Sequence, residues 1–298
     1  MKGLGKIARA VQAFGRGLSS GPKPATTGIG LALGGGFARG IAHIGVIKVL
    51  EEENIPIQFV AGTSVGALIG AAYCSGLNGK ELEEVARRVR FKHFASWTFS
   101  RYGFASNQRM IGFLNRILKV KTFEELRIPL AVIATDFSSG DGTVFCKGPL
   151  VDPVRASCAY PGMFLPVKID GKLLVDGMLA HTVPSVPLRQ MGATRVLAVN
   201  LRGRWANGDG PRHVFEVIGQ CFAIAQEMNS SQWKRAADLV IEPDVHSFKY
   251  DDFERTSEMI QAGEVVTRAA LPEIKKWLRS ETRTEKVAIA RPAPLPAD

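Results

Sequence analysis

The sequence predicts an α/β layered fold built on a mostly parallel sheet, and three observations carry that prediction. Apolar runs of strand length, at 28–34, 59–63, 129–135, 194–201 and 238–242, alternate with segments of helical period. At two junctions, Gly34-Gly35-Gly36 and Gly62-Thr63-Ser64-Val65-Gly66, glycines stand where a strand must turn straight into a helix. With 298 residues, 46% of them hydrophobic, the chain can bury a full core, and no internal repeat or clear linker divides it.

Taken in order, residues 1–24 hold Lys2, Lys6, Arg9, Arg16 and Lys23 with no acid, and Leu4, Ile7, Val11, Phe14 and Leu18 recur at helical spacing. The segment reads as a basic tail or a short amphipathic helix suited to a membrane surface. No continuous apolar stretch follows its charges, so it is not expected to be a secretory signal. The strand over 28–34 ends in the glycine loop, and a helix is expected from Ala38 to Glu53 with Ile41, Ile44, Ile47 and Leu50 facing the core. Between Glu53 and Lys80 no residue is charged, a length sufficient to span a bilayer. Asn54, Pro56, Gln58 and five glycines from Gly62 to Gly79 make a strand, an elbow and a buried helix the better reading.

A charged helix is expected over 80–90. The next stretch, 91–104, interleaves Phe91, Phe94, Trp97, Phe99, Tyr102 and Phe104 with Lys92, His93 and Arg101. It reads as a loop packed over the core by its aromatics, or as a lid or interfacial surface. Strands are expected at 129–135 and 143–146 and a helix at 150–159. A hairpin turning at Asp170-Gly171 delivers Asp176-Gly177. A strand at 194–201, a helix over about 212–236, a strand at 238–242 and a helix over about 252–280 complete the series. The proline-rich end reads as disordered. The expected division is therefore 1–24, one domain over 25–282, and a tail over 283–298.

Several chemistries are disfavoured. Cys74, Cys146, Cys158 and Cys221 form no C-x-x-C pair, so they read as reduced core thiols of a cytosolic protein, and no metal is expected. The glycine loop lacks the third glycine of a dinucleotide fingerprint, Arg39 standing there, and no Gly-Lys-Ser/Thr follows it. No organic cofactor is expected. The net charge of +10 alone does not make a nucleic-acid binder, and no RNP-type pattern accompanies it, so no nucleic acid is expected.

Gly62-x-Ser64-x-Gly66 has the spacing of a nucleophile elbow, in which a serine stands exposed at a helix N-terminus. Such a serine needs a base and donors for an oxyanion. His43, His93, His213 and His246 each read as surface or supporting histidines. Asp176 and Asp136, each at the end of a strand, are the candidate acids.

Gly34-Gly35-Gly36-Phe37-Ala38-Arg39-Gly40, then Gly62-Thr63-Ser64-Val65-Gly66, then Arg155-Ala156-Ser157-Cys158-Ala159-Tyr160-Pro161, then Asp176-Gly177 follow one another along residues 28–202. This succession resembles the patatin-like phospholipase family. The resemblance implies a three-layer α/β/α sandwich and a Ser–Asp dyad without histidine. Ser64 would be the nucleophile and Asp176 the base. Gly34, Gly35 and Gly36 would supply oxyanion amides, and Arg39 would steady that loop or hold an anionic headgroup. Gly62, Gly66 and Gly177 are its motif glycines. Met178 and His181 depart from the family's usual small residue and asparagine, leaving the catalytic atoms in place. The implied activity is hydrolysis of fatty acyl esters of phospholipids or lysophospholipids through an acyl-enzyme. The alternatives are a thioesterase or neutral-lipid esterase with the same dyad, or a membrane-associated regulatory protein. An anionic membrane surface is an expected partner, through 1–24 and 91–104.

Overall fold

In the computed structural model, residues 28–100, 102–202 and 214–288 are described; the side chains of residues 99, 215 and 279–288 are not. The basic segment 1–24, His213 and the end of the expected tail lie outside them.

Five parallel strands form the body of the sheet: β1 (Ile29–Leu33), β2 (Ile57–Thr63), β5 (Leu130–Asp136), β9 (Arg195–Val199) and β10 (Leu239–Ile241). The antiparallel strands β6 (Gly142–Phe145), β7 (Val167–Ile169) and β8 (Lys172–Asp176) complete it, in the order β10-β9-β1-β2-β5-β8-β7 with β6 also on β5. β7 and β8 are joined by Asp170 (φ 48°) and Gly171 (φ 79°), the left-handed pair a tight hairpin turn requires.

Strand alternation sorts the core into two faces. Ile29, Leu31 and Leu33 share one core cluster with residues of α1 (Ala42–Glu52), α2 (Val65–Cys74), α3 (Gly79–Arg88) and the closing helix α9 (Thr256–Ala288). Ala32, Ala61 and Ala131 meet Leu188 of α6 (Ser185–Met191) and Trp233 of α8 (Ser231–Ala236). The result is the expected three-layer α/β/α sandwich. α1 and α9 cross closely enough that a Cβ on Gly45 would lie 1.9 Å from the Ile260 carbonyl oxygen, and one on Gly263 2.0 Å from that of Ala42. α3 is started by Asn78, whose side chain accepts from Glu81 N–H while the Glu81 carboxylate accepts from Asn78 N–H.

Three expectations need correcting. Residues 91–104 are not a loop: Phe91–His93 make a short 3₁₀ turn, and β3 (Ser96–Ser100) pairs antiparallel with β4 (Gly103–Ser106) ahead of α4 (Arg109–Ile117). The hairpin is pinned at the Met163 carbonyl, which accepts from Ala105 N–H (2.8 Å). The single helix expected over 212–236 is two, α7 (Val214–Met228) and α8, broken at Asn229-Ser230. The closing helix, expected over about 252–280, spans Thr256–Ala288 with Pro272 inside it. Among the described residues no helix is long and apolar enough to cross a membrane.

Candidate active site

The parallel pairing of β1 with β2 sets Leu33 beside Gly62, so the glycine loop and the elbow leave the sheet together. Ser64 sits between β2 and α2 at φ 55°, ψ −126°, a backbone conformation costing about 1–3 kcal/mol that the surrounding packing must hold. The packing shows why only glycine serves at the flanks. A Cβ on Gly62 would lie 2.5 Å from Ala67 Cα, and one on Gly66 2.2 Å from the Leu33 carbonyl oxygen. Ser64 N–H donates to Ser157 Oγ (2.8 Å), a fully buried side chain on α5 (Val151–Ser157).

Sheet register also brings Asp176 to the serine. Thr63 pairs with Ile133 across β2 and β5, and Ala134 pairs with Asp176 across β5 and β8. Ser64 Oγ–H donates to Asp176 Oδ2 at 2.6 Å, while Met178 N–H donates to Oδ1 at 3.0 Å. Gly177 is required after it, because a Cβ there would lie 2.1 Å from the Ile133 carbonyl oxygen. Asp176 is fully buried. Burial pushes its carboxyl up to about 7, against the opposing pull of the Ser64 and Met178 hydrogen bonds. A carboxylate poised near neutral pH can take a proton from an alcohol far better than one at the usual 3.9.

The other candidate acid is elsewhere. Asp136 accepts from Ser138 N–H (3.0 Å) and pairs with Lys172 (3.4 Å), which hold it below the ordinary carboxylate range. No histidine among the described residues hydrogen-bonds to Ser64 or Asp176. His93 Nδ1 accepts from Arg90 N–H, and His181 is half-buried with its ring against Gly142.

The glycine loop is a partial correction. Gly34 N–H donates to Val199 O (3.1 Å) and Gly35 N–H to Thr182 O (3.3 Å), so two of the three expected amides are already engaged. Gly36 N–H has no hydrogen-bond partner among the described residues and borders the same cleft as Ser64. Arg39 is buried on that cleft beside Tyr160, its pKa lowered by burial to about 10, so it stays cationic at neutral pH. His43 contributes from behind the loop. Its Nε2 lies 2.8 Å from the Gly34 carbonyl, which can only accept, so Nε2 carries the proton. Burial lowers its pKa to about 4, keeping it neutral. Sequence reasoning missed the positioning part of Ser157, though it lies within a quoted motif, while His43 takes the supporting place, one of its two readings. The Cys158 thiol also borders the site, held protonated by burial.

Two cavities meet at Ser64. One, of about 110 Å³, is apolar and follows Val65, Leu68, Ile69 and Ala72 along one face of α2, a run of about 10 Å at 1.5 Å per residue. The other, of about 440 Å³, is a polar cleft lined by Gly36, Arg39, Asn200, Arg202 and Gln226 among others.

Fold and site together define a class: α/β sandwich proteins carrying a serine at a strand–helix elbow against a buried aspartate. A family model described as patatin-like phospholipase matches residues 31–188, and the chain belongs to that family. It is 34% identical over 181 residues to an uncharacterized NTE family protein of Mycobacterium bovis, covering 59% of this chain and 49% of that one. It is 31% identical over 228 residues to Lysophospholipase NTE1 of Mycosarcoma maydis, covering 73% of this chain and 12% of that one. The chain thus spans about half the length of the mycobacterial relative and much less of the fungal one. The crystal structure of VipD from Legionella pneumophila aligns with a TM-score of 0.59 at 14% identity, over 84% of this chain and 67% of that chain, a likeness of fold.

Proposed function

We propose that the chain is a serine acyl hydrolase that cleaves fatty acyl esters of phospholipids or lysophospholipids through a Ser64–Asp176 dyad. The observation that carries the reading is the 2.6 Å bond between Ser64 Oγ and a buried carboxylate, at the junction of an apolar cavity and a polar cleft. Membership of the family and the likeness to a lysophospholipase support it.

In this reading Asp176 takes the Ser64 proton as Oγ attacks the ester carbonyl. The acyl chain occupies the apolar cavity, and the leaving alcohol lies in the polar cleft. Gly36 N–H and the N-terminus of α2 face the developing oxyanion, a donor of this kind being worth about 2.7–4 kcal/mol. Asp176 returns its proton to the departing alcohol. It then takes a proton from the water that attacks the acyl-enzyme carbonyl, and passes it to Ser64 Oγ as the acyl–oxygen bond breaks and the fatty acid leaves. The catalytic unit is residue 25 through the closing helix. An anionic membrane surface is its proposed partner, through 1–24 and the aromatic segment 91–104.

The test is hydrolysis of p-nitrophenyl esters and lysophosphatidylcholine, with fluorophosphonate labelling mapped by mass spectrometry. Label on Ser64, and loss of both label and turnover in Ser64→Ala, is the expected result. Wild-type turnover in Ser64→Ala would end the proposal.

A further inference from the structure

On α7, Val214, Val217, Cys221, Ile224 and Met228 follow one another at three- and four-residue spacing, and all five are exposed, Met228 to 79% and Ile224 to 52%. That spacing puts them on one face. The inner side of the helix is fixed by buried Glu216 and by the Phe222 ring on Tyr160, at 5.7 Å. A surface helix ordinarily turns its apolar stripe to the core, so an outward stripe marks an interaction surface.

The β3–β4 hairpin presents a second apolar surface, with Trp97 exposed to 75% and Tyr102 and Phe104 beside it. Both elements rest on the segment 160–164: β4 bonds to Met163, and the Ile218 side chain of α7 packs over Gly162. One borders the site and the other lies beside a residue that does. Ile224 lines the polar cleft, and Phe91, whose ring lies 6.1 Å from Trp97, lines the apolar cavity.

Charge selects the partner. Arg88, Arg90, Lys92 and Arg109 are exposed around the hairpin and form no salt bridge among the described residues, in a chain of net charge +10. An anionic phospholipid surface offers headgroups to these cations and hydrocarbon to the stripe. A second copy would bring the same positive charges together.

We propose that the outward stripe of α7 and the β3–β4 hairpin form one docking face for an anionic bilayer, which holds the mouth of the Ser64 site against the lipid. The proposal uses the esterase reading for one readout alone.

The experiment floats the full chain with vesicles of phosphatidylcholine containing phosphatidylglycerol. It compares wild type, Val217→Asp/Met228→Asp and, independently on the hairpin, Trp97→Ala. Wild type is expected to float with the vesicles. The double variant should lose about tenfold in partitioning or more, and Trp97→Ala a smaller amount. Turnover of a water-soluble short-chain ester should stay unchanged, while turnover of vesicle-borne lysophospholipid falls. Failure of wild type to float, or equal flotation of all three proteins, overturns the docking face. So does a wild-type dimer that the double variant converts to monomer, since the stripe would then belong to a second copy. Absence of soluble-ester turnover in wild type would sink the esterase reading and leave flotation to decide the docking face.

Discussion

Asp136 and Asp176 end neighbouring strands, β5 and β8, yet their surroundings make them chemically opposite. Asp136 is held by a backbone N–H and Lys172, which favour its charge and keep its pKa low. Asp176 is fully buried with a serine hydroxyl and one amide as its donors, and burial lifts it to about 7. A strand-end carboxylate becomes fit to act as a base through desolvation and through what donates to it. A carboxylate already stabilised by a cation has little reason to take a proton at neutral pH.

The two aspartates should differ most under exchange to asparagine. Asp176→Asn should lower kcat for ester hydrolysis by about 10²–10⁴-fold, the usual worth of a general base. Retained turnover would move the base elsewhere. Ser157→Ala removes the acceptor for Ser64 N–H and leaves a buried donor unpaired, costing about 1–3 kcal/mol of stability. Urea denaturation would measure that cost, and kcat should fall with KM little changed as Ser64 loses its anchor.

Two pH experiments sharpen the contrast. In the proposed dyad Asp176 must be ionised to act, so kcat/KM should rise with pH through about 7 in wild type, a limb that a dyad with an ordinary carboxylate would not show. Its folded pKa lies above its unfolded value near 3.9, so the stability it contributes is complete below about pH 4 and is lost as pH rises to about 7. Asp176→Asn should therefore raise Tm at pH 8 and leave it nearly unchanged at pH 4. The smallest effect is expected of Asp136→Asn, with kcat/KM within about twofold of wild type, because its partners are Ser138 N–H and Lys172 and not the reacting atoms.

Much of this was legible in the sequence because it depends on neighbours in the chain. The G-x-S-x-G spacing follows from a strand turning into a helix in one residue. Clashes of 2.2 and 2.5 Å at Gly66 and Gly62 show the same constraint in space. The Asp170-Gly171 turn and the strand–helix alternation are equally local. The aromatic hairpin was not legible, because its apolar periodicity is broken and its pairing is fixed from outside, at the Met163 carbonyl. Nor was the break between α7 and α8, where Asn229-Ser230 carries no strong helix-stopping residue.

By itself, the sequence determined the α/β sandwich, the serine at its elbow and the short choice between two aspartates. The family resemblance already pointed to Asp176; the tertiary structure supplies the physical reason it meets the serine, in the register of β2, β5 and β8. It also decided that Gly34 and Gly35 spend their amides on Val199 and Thr182, leaving Gly36 for the cleft. And it decided that α7 turns its apolar stripe outward. An amphipathic pattern says that one face is apolar; what that face meets depends on which surfaces the remaining elements leave uncovered.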